Sequence, residues 1–425
     1  MWVQLMPKLS IKASLSSACC CLLGSTANAE TKPWFIDLGV MNYIEQDRNT
    51  GIEFLINGER ELNDGDTISL QLDFDVITGA TPNGATASNV PQTFTMASGS
   101  GSYRVDANEL PADDTHMDTR MAFSLAYESE VNNDLQLNYS SHISMEFDYL
   151  SLGAGIEFLQ DFNQHATTLL AGLNFEYNRV HPVGGIPIAF ASMQPPGALQ
   201  PRGVASTSRR QSGAHIGFNQ VINKNSLIQA KYSWANASGY LADPYKILSV
   251  IDDLNNAQLG ATLDYVYEDR PDQREIQNIY FAYKLYMQGD VLDLSYRYYW
   301  DEWGINSSTT DVKYRYRLDD RYYLQPHFRF YDQSAASFYQ HSLSSSAALP
   351  DFASADFRLA EFKAYTLGFK YGKTYSEGSE HSIGVEYYTQ IGDSHPDSAT
   401  GLQTEQDLFP TLRTLILTWN YSYNW

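Results

Sequence analysis

Leu415-Ile416-Leu417-Thr418-Trp419-Asn420-Tyr421-Ser422-Tyr423-Asn424-Trp425 alternates apolar and polar from Leu417 to its end. Leu415, Leu417, Trp419, Tyr421, Tyr423 and Trp425 share one parity, and Thr418, Asn420, Ser422 and Asn424 share the other. Successive side chains on a strand point to opposite faces, so this segment presents one apolar side and one polar side. A water-soluble fold would turn the apolar side toward a core. Here that side is bulky and aromatic to its last residue, which suits a strand whose two faces meet different solvents.

Working outward, the same alternation recurs in sixteen runs, from 34–43 at one end to 411–425 at the other. Their connections alternate in length. Asn63-Asp64-Gly65, Asn132-Asn133, Asn223-Lys224-Asn225, Gln288-Gly289 and Asp319-Asp320 are tight turns rich in Asn, Asp and Gly. Between them fall long connections at 79–118, 181–208, 240–274, 334–360 and 392–410. A soluble sandwich or propeller would carry Lys or Glu on its outer face, whereas Leu292, Leu294, Tyr296, Tyr298 and Trp300 keep one parity apolar along a whole run. The expected fold is all-β: a transmembrane antiparallel β-barrel of about 16 strands, with short periplasmic turns and long extracellular loops. Its surroundings would be outer-membrane lipid and lipopolysaccharide. Trp419, Tyr421, Tyr423 and Trp425 are the expected membrane-insertion signal, presented to the barrel-assembly machinery.

Residues 1–29 read as an export signal. Lys8 and Lys12 precede a small, apolar stretch at 13–23, and Ala27-Asn28-Ala29 offers a cleavage site. The remainder, 30–425, reads as a single barrel domain, because no linker or composition break divides it. All three cysteines, Cys19, Cys20 and Cys21, lie within the signal, which leaves no thiol beyond it for disulfides or soft metals. A formal net charge of −22 argues against nucleic acid as a partner. Aromatic content of 13% combined with a mean hydropathy of −0.36 suits two-faced strands rather than spanning helices.

If the aromatic parity meets lipid, the other parity lines a lumen. It would place Lys231, Lys284, Arg297, Lys313, Arg315, Arg317, His327, Arg329 and Lys370 on one wall, and Asp73, Asp75, Glu128, Glu157 and Glu176 opposite. Facing rows of opposite charge set up a transverse field across a wet bore. The alternative is that Asp293, Asp301, Asp311 and Glu386 neutralise the basic residues on their own arc, filling the bore with ion pairs.

Three further patterns carry less. Ala112-Asp-Asp-Thr-His-Met-Asp118 gathers carboxylates and an imidazole in one expected outer loop, but without a calcium-loop spacing. Asp301-Glu302 resembles a carboxylate pair, yet adjacent strand residues face opposite ways. His142, His215 and His327 have lumen parity, while neither a Gly-x-Ser-x-Gly elbow nor zinc-type spacing is present. No catalytic, cofactor or metal site is assigned.

Several ordered blocks carry a resemblance. They are Asp75-Val-Ile-Thr-Gly-Ala-Thr-Pro-Asn-Gly-Ala85, Ser102-Tyr-Arg-Val105, Asp113-Asp-Thr115, Asp243-Pro-Tyr-Lys246 and Tyr267-Glu-Asp-Arg-Pro-Asp272. Leu294-Ser-Tyr-Arg-Tyr-Tyr-Trp-Asp-Glu-Trp-Gly304, Gln325-Pro-His327, Gln333-Ser-Ala-Ala336 and Ala353-Ser-Ala-Asp-Phe-Arg-Leu359 complete the series. Over essentially the whole chain this resembles the bacterial family known as domain of unknown function 3570. The resemblance implies an outer-membrane barrel and brings no settled activity or catalytic residues. It also hints at an envelope redox system with a periplasmic partner, although a chain without cysteine beyond its signal cannot itself exchange thiols. The leading functional reading is a porin-like channel for small polar or charged solutes. An occluded scaffold for an envelope complex is the second, and an enzyme with its site at the rim the third.

Overall fold

In a computed structural model the described residues are 32–62, 65–96, 101–255, 257–375 and 378–425. The export signal at 1–29 lies outside them. The first strands are β1 (Phe35–Glu45), β2 (Asn49–Glu61) and β3 (Thr67–Pro82). A small hairpin of β4 (Gln92–Thr95) and β5 (Ser102–Val105) follows, then β6 (Ala112–Asn132), β7 (Leu135–Met145), β8 (Tyr149–Phe162) and β9 (Thr167–Val180). Next come β10 (Thr207–Asn223), β11 (Ser226–Gly239), the short β12 (Ile247–Ile251) and β13 (Thr262–Tyr267), and β14 (Gln273–Met287). The chain continues through β15 (Asp290–Asp301), β16 (Asn306–Arg317), β17 (Tyr322–Gln333), the short β18 (Ser342–Ser344), β19 (Phe362–Thr374), β20 (Glu380–Gly392) and β21 (Leu412–Asn424).

Without the five short strands, the sixteen others pair antiparallel with their sequence neighbours, and the sheet closes where β1 meets β21 from Phe35↔Asn424 to Glu45↔Thr414. Closure satisfies every strand edge, which is what permits a sheet to stand in hydrocarbon. All sixteen alternating runs are strands of this barrel. Their apolar parity points outward: Phe54, Leu72, Phe123, Leu173, Ile216, Tyr296, Leu367, Ile383 and Trp419 are exposed. An apolar belt of this extent is far larger than a water-facing monomer surface tolerates. The tight turns behave as their residues dictate. Gln288 and Gly289, at φ 53° and 114°, take the left-handed pair of conformations that a two-residue hairpin needs.

The stretch expected as one outer loop at 79–118 is corrected. β3 continues to Pro82 and β6 begins at Ala112, so the acidic segment bearing Asp113, Asp114 and Asp118 lies in a strand. About ten residues cross a bilayer, and β6 has 21. Above the lipid both faces meet water, so a strand there keeps its backbone ladder while losing the alternation that announces it. Gly79, at φ 129°, sits where the pairing of β3 with β6 slips register on the way out of that zone. The connections at 240–274 and 334–360 likewise hold sheet: β12 pairs antiparallel with β13 and parallel with β18.

Candidate functional site

Two polar constructions are stacked along the barrel, a charged lumen and a cap above it. The lumen follows from parity. Asp73 and Asp75 project from β3, Glu128 from β6, Glu157 from β8 and Glu176 from β9, all on the polar face. Asp75 binds Arg120 Nε at 2.6 Å, and Asp73 accepts from Gln71 Nε2 at 2.9 and 3.0 Å. Gln136 donates to Glu128 at 2.9 Å, and Asn178 to Glu176 at 2.7 Å. Glu157 lies 2.7 Å from His215 Nε2 and 3.8 Å from Lys231 Nζ, tying the acidic arc to the first residue of the basic one.

Lys284 comes from β14, Arg297 from β15, Lys313, Arg315 and Arg317 from β16, Arg329 from β17 and Lys370 from β19. Several of these cations are matched on their own arc. Lys284 meets Asp293 at 3.0 Å, Lys313 meets Asp311 at 3.6 Å and Arg315 meets Glu380 at 3.2 Å. Arg317 pairs with Asp320 at the periplasmic rim. His327 is held on both sides, Nε2 at 2.9 Å from Asp311 and Nδ1 at 2.8 Å from Glu386. The wall is therefore an ion-pair ladder rather than a bare row of positive charge. A cavity of about 210 Å³ opens along it, lined by Lys313, Gln325, His327, Lys370, Glu386, Thr418 and Asn420 among others. Glycine makes room for wide rings elsewhere on the lumen face: a Cβ on Gly372 would stand 2.1 Å from the Tyr323 ring.

The cap was not legible as a unit. Loops rooted after β3, β9, β11, β17 and β20, all round the circumference, bond to one another. Ile247 N donates to Asn83 O at 2.9 Å and Met193 N to Tyr265 O at 2.7 Å. Asp269 and Ala353 exchange two bonds of 3.0 Å, and Leu402 N donates to Leu259 O at 2.9 Å. Loops from opposite walls can join in this way only by spanning the outer mouth. Apolar contacts cement them: Phe94 stacks on Tyr103 at 5.5 Å and meets Tyr265 edge-on, while Leu248, Val266, Leu343, Ala353 and Ala355 form a second buried layer.

Inside the cap lies a charge network. Arg270 Nε lies 2.7 Å from Glu268 as an ion pair, and its Nη2 donates to Glu268 at 3.0 Å and to Asp356 at 2.9 Å, all three side chains being at most 8% exposed. Arg358 grips Asp356 through Nε at 2.8 and 2.9 Å and reaches Asp243 at 2.7 Å. The Ser354 hydroxyl donates to Glu268, and Asp243 N donates to Glu268 Oε1 at 2.6 Å. Burial alone would raise Asp356 and Asp243, but Arg358 and Lys246 outweigh it and hold both carboxyls below their usual range. Burial prevails at Glu268 and pushes it up despite Arg270. Three acids and three bases thus balance: Glu268, Arg270 and Asp356 are nearly dry, so an unpaired charge among them would be costly, while Arg358 and Asp243 keep 32% and 23% of their side-chain surface exposed.

The weaker patterns disperse. Asp301 is committed to Arg274 at 2.9 Å and to Tyr299 at 2.7 Å, whereas Glu302 accepts from Glu275 N at 3.0 Å, so the two carboxylates do not converge. Among the described residues no group of three or more His, Asp or Glu side chains is placed to hold a metal ion. Trp419, Tyr421 and Tyr423 form an outward stack with centroids 6.5 and 5.1 Å apart, and Trp425 follows the strand, exchanging backbone bonds with Trp34.

Residues 12–423 match the family model described as "Protein of unknown function (DUF3570)". No curated protein matches the sequence. Among solved structures, the chain is similar to the ferric enterobactin receptor PfeA of Pseudomonas aeruginosa, at 10% identity and TM-score 0.44, covering 86% of this chain and 54% of the receptor. It thus spans about half the length of that receptor. CdiB from Acinetobacter baumannii gives 9% identity, TM-score 0.44 and coverages of 92% and 60%. A bacterial polysaccharide outer membrane secretin gives 7% identity, TM-score 0.44 and coverages of 93% and 99%.

Proposed function

The chain belongs to the DUF3570 family, and for this capped barrel we propose a non-enzymatic, porin-like channel of the bacterial outer membrane that passes small polar or charged solutes under control of the cap. One observation carries the reading. Lys284, Asp293, Lys313, Arg315 and Glu386 keep 31–42% of their side-chain surface accessible within the barrel. A packed plug would bury them, and a wetted bore does not. The cap's closely paired network, whose Glu268, Arg270 and Asp356 side chains are at most 8% exposed, favours a second reading, an occluded scaffold that engages envelope partners through its loops. Planar-bilayer recording of the refolded protein separates the two. The channel predicts discrete current steps that become more frequent in Arg270→Ala, whose cap is loosened. A silent bilayer from both proteins, with correct folding verified by heat-modifiable gel migration, discards the channel.

A further inference from the structure

Arg297 and Arg329 stand outside the ion-pair ladder: among the described residues neither forms an ion pair, whereas Lys284, Lys313 and Arg315 do. Asp311 faces Arg329 directly across the β16–β17 pairing, yet its oxygens are taken by Lys313 and by His327 at 2.9 Å. Arg297 has Tyr280 and Thr309 as cross-strand neighbours, neither of them anionic. Its guanidinium carbon lies 5.5 Å from the Tyr280 ring centroid, and its Nε is buried without a hydrogen-bond partner. Arg329 is close enough to act on Arg297 electrostatically, and so is Lys231. Two guanidiniums within mutual range form a positive spot with no carboxylate in ion-pair contact; Asp311, already bound to His327, acts on Arg329 only from beyond that distance. Each is a planar fork of donors matched to a carboxylate or phosphate edge.

Placement strengthens this. Arg329 is the next lumen-facing residue above His327 on β17, and His327 lines the cavity of about 210 Å³ together with Lys313 and Lys370. A water molecule claims about 30 Å³ of liquid, so that space suits a small organic or inorganic anion. A solute entering from the cap would meet the arginines first and the cavity second.

We propose that Arg297 and Arg329 form an oxyanion-binding subsite in the lumen, selecting small solutes that carry a carboxylate or phosphate group. The proposal rests on the channel reading for its role in transport, but the binding itself can be measured without conduction. The test uses the full refolded barrel and the Arg297→Gln/Arg329→Gln double variant. Chloride currents are titrated with acetate and with inorganic phosphate, and the same anions are titrated calorimetrically into micellar protein. Acetate or phosphate should block the wild-type current at lower concentration than added chloride does, and calorimetry should register the same order. Whichever oxyanion binds tighter identifies the preferred group. In the double variant the half-blocking concentration should rise by at least about tenfold, the loss of one charge-assisted hydrogen bond or more. Unchanged block and unchanged binding heat in the double variant overturn the subsite, as does equal affinity for chloride and both oxyanions. Saturable oxyanion binding by a barrel that passes no current, abolished in the variant, upholds the subsite while removing the channel.

Discussion

Arg270 sits between Glu268 and Asp356, and neither carboxylate has another cation so deeply placed beside it. Arg270→Ala would strand Glu268 and leave Asp356 to Arg358 alone, a loss of about 3–5 kcal/mol to the cap. Because the sixteen-strand wall does not depend on that pair, the barrel should still migrate as a folded species while limited proteolysis cuts faster within 240–274 and 334–360. Faster nicking confined to the periplasmic turns would contradict this. Acidity probes the same residues. Asp243 and Asp356 have folded values below their unfolded ones, so their contribution is complete above about pH 3.9 and drains away as the pH falls toward the folded values. Glu268 works in the opposite sense, since its raised value favours the protonated acid and its share is lost as the pH rises through that value. Two carboxylates against one make acid the destabilising direction. Pepsin nicking of the loops, normalised at each pH to an unfolded substrate, should rise progressively as the pH falls below about 3.9, and Asp356→Asn should flatten that rise.

At the scale of the element, a lumen strand is legible in sequence where lipid touches one face and water the other. Tyr365, Leu367 and Phe369 are exposed on β19 while Thr366 and Gly368 between them are buried on the other face, so the alternation survives in the folded strand. Above the bilayer both faces are wet, and Ala112 to Asp118 gave no alternation although it is strand. The cap left even less trace, because its contacts join residues far apart: Arg270 and Asp356 are separated by 86 positions, and no local period encodes such a pairing. What sequence did reveal was the order of blocks such as Asp243 to Lys246 and Ala353 to Leu359, which prove to be neighbours in the cap. The inward cations were legible by parity, but their matching acids on the same arc could be weighed only as an alternative. Element packing offers its own prediction at Gly372. Gly372→Ala would drive a methyl into the Tyr323 ring, displacing a hydroxyl that donates to Glu380 and a face on which Arg315 lies 3.6 Å from the ring centroid. A cost of about 1–3 kcal/mol should appear as a lower unfolding temperature on heat-modifiable gels. Gly197→Ala serves as the contrast, because no atom lies within 4 Å of the position a Cβ would take, although its φ of 86° carries a smaller backbone penalty.

For the whole molecule the decisive question is whether the cap moves. Asp269 and Ala353 face each other as an isolated antiparallel bridge between the loops of β11–β14 and β17–β19, with two backbone bonds of 3.0 Å. Residues so paired have Cα atoms about 5.5 Å apart, within the span of a disulfide. All three natural cysteines lie at positions 19–21, so the described residues supply no competing thiol. Asp269→Cys/Ala353→Cys should therefore oxidise cleanly and staple two loops across the mouth. A cap that opens to admit solute would then lose conductance by about tenfold or more on oxidation and regain it with reductant, since even 1.4 kcal/mol against opening is a factor of ten. Loops held rigid in every state predict the opposite, currents indifferent to the staple, with solutes slipping past fixed side chains. Arg270→Ala and the staple act on the same equilibrium from opposite sides. In a moving cap the oxidised staple should cancel the extra opening that Arg270→Ala causes, and additive, independent effects of the two changes would show that the network and the loop bridge belong to different motions.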